Sequence, residues 1–203
     1  MKSSAKKPRN KNLSGVNAIN FFAEAGLLKR IKRSGWWVAG IKEPESVAEH
    51  SFRCAVIAYY LAHLEDVNPY KALVMALFND IHEARINDLH KMGHYYIDFK
   101  SAEKKVFNEQ IKMLDRRVKR EMAVFRAEYD GQKSKESLVA RDADILECLL
   151  QAKEYLDHGH LGAKKFLTRA PAFLKTKNAK NLWQNIRNWK SDSWWIKIVK
   201  FER

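Results

Sequence analysis

One imidazole and two carboxylates stand out, because each interrupts a run that otherwise has the spacing of a buried helix face. They are His50, Asp80 and Asp144. An unpaired carboxylate in an apolar interior is costly, and a cation shared by two carboxylates near a histidine compensates that cost. The three residues therefore predict a metal site inside a helical protein.

The residues before His50 predict the start of the helix that carries it. Pro44 precedes Ser46 and Glu49, whose spacing is that of a capping box, in which the two side chains satisfy backbone N–H groups of the first turn. This cap places His50 in the first turns of the helix, on the same face as Cys54.

A second helix start precedes Asp80. Asn68 followed by Pro69 is typical of a helix N-terminus, with asparagine as the cap and proline in the first turn. Leu73 and Asp80 then fall on one helix face, and Glu83 shares the face of Asp80. We therefore expect a carboxylate pair at the end of this helix.

The third polar position lies on a later helix, predicted at 135–158 after the break at 131–134. On this helix Asp144, Gln151 and Tyr155 share one face, because they are separated by whole helical turns.

The rest of the chain also has helical spacing. Its 203 residues contain eight glycines and four prolines, which leaves long stretches without strong breakers. We therefore expect an all-α fold, with further helices at 16–33, 98–129 and 178–189. Residues 194–201 partly alternate, which fits either a strand or a packed extension.

Length and composition indicate one globular domain. A hydrophobic content of 46% in 203 residues suffices for a full core. We expect a basic disordered tail over 1–12, the helical domain over 13–170 and a C-terminal extension over 171–203. The chain has no apolar run of about 18 residues and its N-terminus has no secretion signal, so we expect a cytoplasmic protein without a membrane span.

The charge and the cysteines bear on possible partners. A net charge of +14 and a pI of about 9.7 predict attraction to polyanions, either nucleotides or nucleic acid. Cys54 and Cys148 both lie in helical patterns beside apolar residues, and two cysteines cannot make a disulfide framework. We expect both to be reduced core residues.

Five segments occur in an order that carries a family resemblance. They are 33–37 (RSGWW), 44–50 (PESVAEH), 76–84 (ALFNDIHEA), 87–89 (NDL) and 143–155 (ADILECLLQAKEY). The chain resembles the HD-domain metal-dependent phosphohydrolases, and it looks closest to their 5'-deoxynucleotidase-like branch. The resemblance covers roughly 21–155.

The resemblance implies a helical bundle in which a histidine, a His-Asp pair and a later aspartate hold a divalent ion (Mn, Co, Mg or Zn). It implies a role for each matching residue of this chain and, by analogy, a homodimer. The implied metal ligands are His50, Asn79, Asp80 and Asp144, the implied catalytic carboxylates are Glu83 and Asp88, and the implied substrate contacts are Arg33 and Trp36.

The sequence departs from the family pattern at two positions. Asn79 stands where the family has the histidine of its His-Asp pair. Because imidazole suits Zn, Co, Fe or Mn and an amide oxygen suits Mg or Ca, we expect reduced metal affinity. His82 is an alternative donor for the position that Asn79 leaves. Asn87 replaces a family glycine beside Asp88, and its side chain could alter that loop.

Several positions have more than one interpretation. Asp142 could serve as the ligand in place of Asp144, but the spacing of Asp144 to the residues that follow it matches the family pattern. Glu83 is either a catalytic carboxylate or an ordinary helix acid. Trp36 either contacts substrate or packs in the core.

The function that follows from the resemblance is hydrolysis of a 5'-deoxynucleoside monophosphate to a deoxynucleoside and phosphate. A deoxynucleoside triphosphate hydrolase is a close alternative. A rival of another class is an inactive scaffold that binds a nucleotide, or that binds single-stranded nucleic acid through its basic tails and C-terminal tryptophans. The tryptophans concerned are Trp183, Trp189, Trp194 and Trp195.

Overall fold

Helices form nearly all the regular structure of the computed structural model, which describes residues 11–196, 198 and 199. They are α1 (Lys11–Leu27), α2 (Ser34–Val38), α3 (Val47–Leu64), α4 (Pro69–Phe78), α5 (Glu83–Ile86), α6 (Lys91–Tyr96), α7 (Phe99–Lys112), α8 (Arg116–Gly131), α9 (Lys135–Asp157), α10 (Lys164–Arg169), α11 (Lys177–Asn188) and α12 (Ser193–Ile196). The 3₁₀ segments Leu161–Ala163 and Ala170–Phe173 flank α10. Within this described part no β-strand forms, which confirms the all-α prediction.

The main core lies between α3, α4 and α9. Small side chains line the contacts between these helices, among them Ala58, Ala72 and Ala143, each fully buried. Small residues let helix backbones approach closely, and larger ones such as Leu61 and Leu146 fill the remaining space. The close approach matters for function, because α3 carries His50, α4 leads directly into Asp80, and α9 carries Asp144.

A second group of helices forms its own apolar cluster. Here α1, α5, α7 and α8 share a smaller apolar cluster that includes Phe21, Phe107 and Ile111. The predicted single helix over 98–129 is wrong, because α7 ends at Lys112 and α8 begins at Arg116. Asp115 causes the break, since its carboxylate accepts a hydrogen bond from the Arg117 amide and caps α8.

The first helix also differs from its prediction at 16–33. Helix α1 begins at Lys11 and ends at Leu27, and the chain then turns. Backbone amides at the N-terminus of α3 donate hydrogen bonds to carbonyl groups that would accept helical hydrogen bonds if α1 were longer. The Val47 amide donates to Ile31, and the Ala48 amide donates to Leu28. Tertiary hydrogen bonds of this kind end the helix, and local sequence does not show them.

The C-terminal helices pack on the same core. Leu174, Ala179 and Ile186 are all buried in the main cluster, which places α11 against α9 and α3. The predicted helix at 178–189 is confirmed by α11, which Thr176 caps. Residues 194–196 are helical where a strand was one alternative.

Parts of the predicted termini lie outside the described residues. Residues 1–10 of the predicted tail are outside them, while 11 and 12 belong to α1. Residues 197 and 200–203 of the C-terminal extension are also outside. Among the helices that the structure describes, none has the length and apolarity needed to cross a membrane.

Candidate metal centre

His50 is held firmly at the start of α3. The Ser46 side chain accepts a hydrogen bond from the Glu49 amide, and the Glu49 carboxylate accepts one from the Ser46 amide, so both halves of the predicted capping box are present. His50 is only 1% exposed. Its imidazole therefore enters the interior from a fixed helix end.

Two predicted carboxylates meet the same imidazole nitrogen. His50 Nε2 lies 3.1 Å from Asp144 Oδ1 and 3.5 Å from Asp80 Oδ2. Asp144 is the more open of the two, with 34% of its side chain exposed. The structure thus brings the three residues together at a point that solvent can reach from the Asp144 side.

Arg33 and Asp88 extend the cluster beyond Asp80. The Arg33 guanidinium lies 3.6 Å from Asp80 Oδ2 and 3.6 Å from Asp88 Oδ2. Asp88 also accepts hydrogen bonds from the backbone amide and the hydroxyl of Ser34. Burial raises the pKa of Asp80, but the His50 hydrogen bond and the charges of His50 and Arg33 outweigh it and bring the pKa well below its ordinary value.

Glu83 lies in the same site, but its pKa is shifted in the direction opposite to that of Asp80. It is buried, and burial followed by the charges of Asp80 and Asp88 holds the pKa of its carboxyl group well above the ordinary value. Its Oε2 atom is buried without a hydrogen-bond partner. A buried carboxyl oxygen without a partner, next to other acids, has a spare lone pair for a proton or a ligand.

Asn79 is oriented toward Asp80. Its Nδ2 atom donates a 2.8 Å hydrogen bond to Asp80 Oδ1, and its backbone carbonyl accepts one from Arg126. The amide nitrogen, which cannot bind a cation, is therefore the end that meets the carboxylate. In this arrangement Asn79 holds Asp80 Oδ1 and leaves Oδ2 facing His50.

His82, the alternative donor, lies beside a different acid. Its Nε2 atom is 3.4 Å from Glu103 Oε1 without the geometry of a hydrogen bond, and its ring packs against Phe99. These contacts turn the imidazole toward α7. The structure therefore gives no support to His82 as a substitute for the missing family histidine.

Asp142 and Asp144, the two alternative ligands, have different surroundings. Asp142 is fully buried, and its carboxylate accepts hydrogen bonds from the backbone amides of Lys175 and Thr176. It thus anchors the segment before α11, while Asp144 faces His50.

Trp36 occupies the core and not the surface of the site. It is 2% exposed, and its ring packs against Tyr155 and Phe166. Its indole N–H donates a 2.9 Å hydrogen bond to Glu45 Oε1. Of the two interpretations offered by the sequence, packing is the one that this position supports, and direct contact of Trp36 with substrate stays a prediction.

Two acids near His50, the buried Glu147 and the partly buried Glu45, were not predicted from the sequence. Glu147 is fully buried and accepts a hydrogen bond from His50 Nδ1. Glu45, bonded to Trp36, has its pKa raised to about 7 by burial and by the charge of Glu147. Glu147 lies one helical turn after Asp144, which was the only available signal, and such spacing is common on any helix.

His50, Glu147 and Cys54 form an alternative group of metal donors, with one atom of each within 4.8 Å of the others. Cys54 Sγ lies 3.4 Å from Nε2 and 3.7 Å from Nδ1 of His50, so it sits beside the ring and off the line of either nitrogen lone pair. Burial raises the pKa of the Cys54 thiol to about 12, which disfavours the thiolate that binds metals. Asp80 and Asp144 are therefore the better partners for the His50 nitrogen.

The donor set fits a divalent ion. One imidazole nitrogen, which gives up its proton when a metal binds, with two carboxylates is a set that Zn, Mn, Co or Fe accepts. The spacing of 3.1–3.5 Å between His50 Nε2 and the carboxylate oxygens is close to the separation of neighbouring ligands on one ion, given metal–ligand bonds of about 2.0–2.2 Å.

Comparison with known proteins gives a consistent result. The family model described as "HD domain" matches residues 25–184. A mouse protein named 5'-deoxynucleotidase HDDC2 is 30% identical over 71% of this chain and 72% of its own length. A Dictyostelium discoideum protein of the same name is 32% identical over 71% of this chain and 80% of its own.

Solved structures agree with these sequence matches. A conserved hypothetical protein from Pyrococcus furiosus superimposes with a TM-score of 0.70 at 31% identity. The match covers 84% of this chain and 99% of the other. All of the elements that carry His50, Asp80 and Asp144 fall inside the matched residues of the family model.

Proposed function

Because this chain belongs to the HD domain family, we propose that it is a metal-dependent phosphohydrolase that acts on deoxynucleotides. The substrate we infer is a 5'-deoxynucleoside monophosphate, the substrate class named in its relatives. The observation that carries the proposal is the meeting of His50 Nε2 with Asp80 and Asp144, at 3.5 and 3.1 Å.

In this proposal His50, Asp80 and Asp144 hold the ion, and Asn79 orients Asp80 by the hydrogen bond to Oδ1. A divalent ion bound there supplies Lewis-acid chemistry, since it lowers the pKa of water and polarises a phosphoryl oxygen. We therefore infer three protein ligands, which leave room for the reacting groups.

Glu83 is the group that we propose to exchange a proton during hydrolysis. A carboxyl group with a raised pKa can give a proton to a leaving group or take one from attacking water near neutral pH. Its partnerless Oε2 is available for either hydrogen bond.

Arg33 is the group that we propose to bind the substrate phosphate. It lies against Asp80 and Asp88, which hold it next to the site. Two N–H groups of a guanidinium can donate hydrogen bonds to two oxygens of one phosphate. Asp88 then acts by positioning Arg33. This reverses the emphasis of the family analogy, in which Asp88 is itself catalytic, and both roles stay predictions.

The test is a phosphate-release screen of the purified protein with Mn, Co, Mg or Zn added in turn. The substrates are deoxy- and ribonucleoside mono- and triphosphates. We expect release of phosphate from deoxynucleoside monophosphates, and its loss in Asp144→Asn. The matched control is Asp142→Asn on the same helix, because Asp142 lies away from the imidazole.

The screen also separates the alternatives. Cleavage of triphosphates alone would indicate the triphosphate hydrolase. No turnover with any metal, together with nucleotide binding in a titration, would overturn the proposed activity in favour of the inactive scaffold.

Finer expectations accompany the proposal. We propose a cytoplasmic location and a homodimer, and the resident ion as one of Mn, Co, Mg or Zn. Binding of single-stranded nucleic acid through the basic tails belongs to the rival function, and a steep fall in affinity with salt would identify it.

A further inference from the structure

Glu147 is the most thoroughly enclosed charged group next to the site, and the proposed chemistry gives it no role. It is fully buried on α9, and its Oε2 atom accepts a hydrogen bond from His50 Nδ1 on α3. The hydrogen bond joins the two helices directly behind the imidazole, on the side away from Asp80 and Asp144.

Arg53 holds the other oxygen of the same carboxylate. Its Nε and one terminal nitrogen donate to Glu147 Oε1 at 2.9 and 2.7 Å, a paired contact. The guanidinium also donates to Gln151 at 2.6 Å and to Glu154 at 2.8 and 2.9 Å. One arginine on α3 is therefore bonded to three residues of α9.

These contacts determine the direction of the His50 lone pair. When an ion binds at Nε2 in place of a proton, a carboxylate at Nδ1 keeps the remaining proton on that nitrogen and directs Nε2 to the ion. Nε2 is the atom that faces Asp80 and Asp144. Hydrogen-bond partners of this kind orient metal-binding histidines and raise their basicity.

The negative charge of Glu147 is compensated by the positive charge of Arg53. The Arg53 guanidinium lies 2.7 Å from Glu147 Oε1 and forms an ion pair with this fully buried carboxylate. Arg53 therefore supplies the compensating cation without occupying the site.

We propose that Glu147, held by Arg53, is a positioning residue that sets the tautomer and direction of His50 for the metal ion. The inference rests on the proposed function, because it assigns the ion to Nε2. Glu147 contacts neither the ion nor the substrate.

The first test is titration of metal-free protein with Mn²⁺ alone, followed by calorimetry. Glu147→Gln keeps the shape of the side chain and removes the charge. We expect its Mn²⁺ affinity to fall about tenfold or more, as for other partners of metal-bound histidines. The matched control is Glu154→Gln, which removes a carboxylate from the same Arg53 without touching His50, and it should bind Mn²⁺ as the wild type does.

The second test reads the hydrogen bond itself by NMR of the Zn²⁺-loaded protein. We expect a strongly downfield Nδ1 proton of His50 in the wild type and in Glu154→Gln, and its upfield shift in Glu147→Gln. Arg53→Lys is a second variant should Glu147→Gln not fold. A lysine cannot reach all three acceptors at once, so an intermediate loss of affinity is expected.

The outcomes separate the two claims. Absence of Mn²⁺ binding in the wild type would overturn the proposed function, and the positioning role with it. Binding by the wild type with equal affinity in Glu147→Gln, and an unchanged His50 proton, would overturn the positioning role alone.

Discussion

Asp80 and Glu83 are carboxyl groups of one buried site whose neighbours move their pKa values in opposite directions. Asp80 lies beside His50 and Arg33, whose positive charges favour its anion. Glu83 is buried beside two other acids, and both conditions favour its protonated form. Pairs of acids separated in this way commonly divide the work between a fixed anion and a proton carrier. This division supports the proposed roles of Asp80 as a ligand of the ion and of Glu83 in proton transfer.

Glu83→Gln tests the proton-carrying role. We expect the rate of phosphate release to fall by about 10²–10⁴-fold, because an amide keeps the shape of the side chain but cannot exchange the proton. Metal affinity and thermal unfolding should stay at wild-type values. Unchanged turnover in a folded, metal-loaded variant would remove Glu83 from the mechanism.

Asn79→His tests what the asparagine does to metal selectivity. An imidazole next to Asp80 should strengthen the binding of Mn, Co or Zn more than that of Mg, following the softness of the ligand. It also removes the hydrogen bond to Asp80 Oδ1. Calorimetric titration with each metal decides the matter, and equal transition-metal affinities in both proteins would mean that Asn79 is not simply a missing ligand.

Glu45 predicts a pH dependence of stability. Its pKa is raised to about 7 in the folded protein, compared with about 4.3 in an unfolded chain. The free energy of unfolding of the metal-free protein should therefore fall as the pH rises from about 4 to 7, by up to about 3 kcal/mol. Glu45→Gln should flatten this part of the curve in denaturant titrations, and a wild-type curve that rises over this interval would contradict the assignment.

Helix α9 carries Asp142 and Asp144, which are two residues apart and contact different parts of the protein. Asp142 points to the segment before α11 and accepts its backbone amides, while Asp144 points to His50 on α3. Successive positions on a helix face different directions, so a shift of two residues changes the neighbour completely.

Asp142→Asn and Asp144→Asn should therefore change different properties of the protein. Asp142→Asn should lower the free energy of unfolding by about 1–3 kcal/mol, since it weakens charge-assisted hydrogen bonds in the interior, and should leave metal affinity intact. Asp144→Asn should lower the metal affinity and leave the free energy of unfolding near the wild-type value. A loss of metal affinity in Asp142→Asn, measured on folded protein, would show that the assignment of the two aspartates is wrong.

The whole molecule depends on its C-terminal helices for stability. Leu174, Ala179 and Ile186 are buried in the main cluster, and they lie in the extension over 171–203 that the sequence predicts either to pack on the domain or to follow it. A chain that ends at Pro171 should lose about 5 kcal/mol or more, since each buried Leu or Ile contributes about 1.5–3 kcal/mol and the capping contacts are lost as well.

Circular dichroism during heating measures the effect of this truncation. We expect the shortened chain to be largely unfolded at room temperature. The control ends at Lys190 and keeps α11 entire, and it should unfold cooperatively near the wild-type temperature. A cooperative, wild-type transition in the chain that ends at Pro171 would support the boundary at 170.

Local sequence determined the helical class, the caps at Ser46 and Asn68, and the identity of the three residues that lie together, His50, Asp80 and Asp144. Each of these depends on neighbours within a few positions or on a pattern that the family shares. The burial of Trp36, the task of Asp142 and the orientation of Asn79 were decided by tertiary structure, because their partners are distant in the chain or face directions that spacing alone does not show.

Glu147 illustrates the same limit most clearly. Its role requires His50 and Arg53, which are 97 and 94 residues away in the chain, to lie against one face of α9. Spacing along a helix shows which residues share a face, and only the packing of α3 against α9 shows what that face touches. The sequence could therefore indicate a candidate site for an ion, whereas the group that we propose to orient its histidine became visible only in the folded protein.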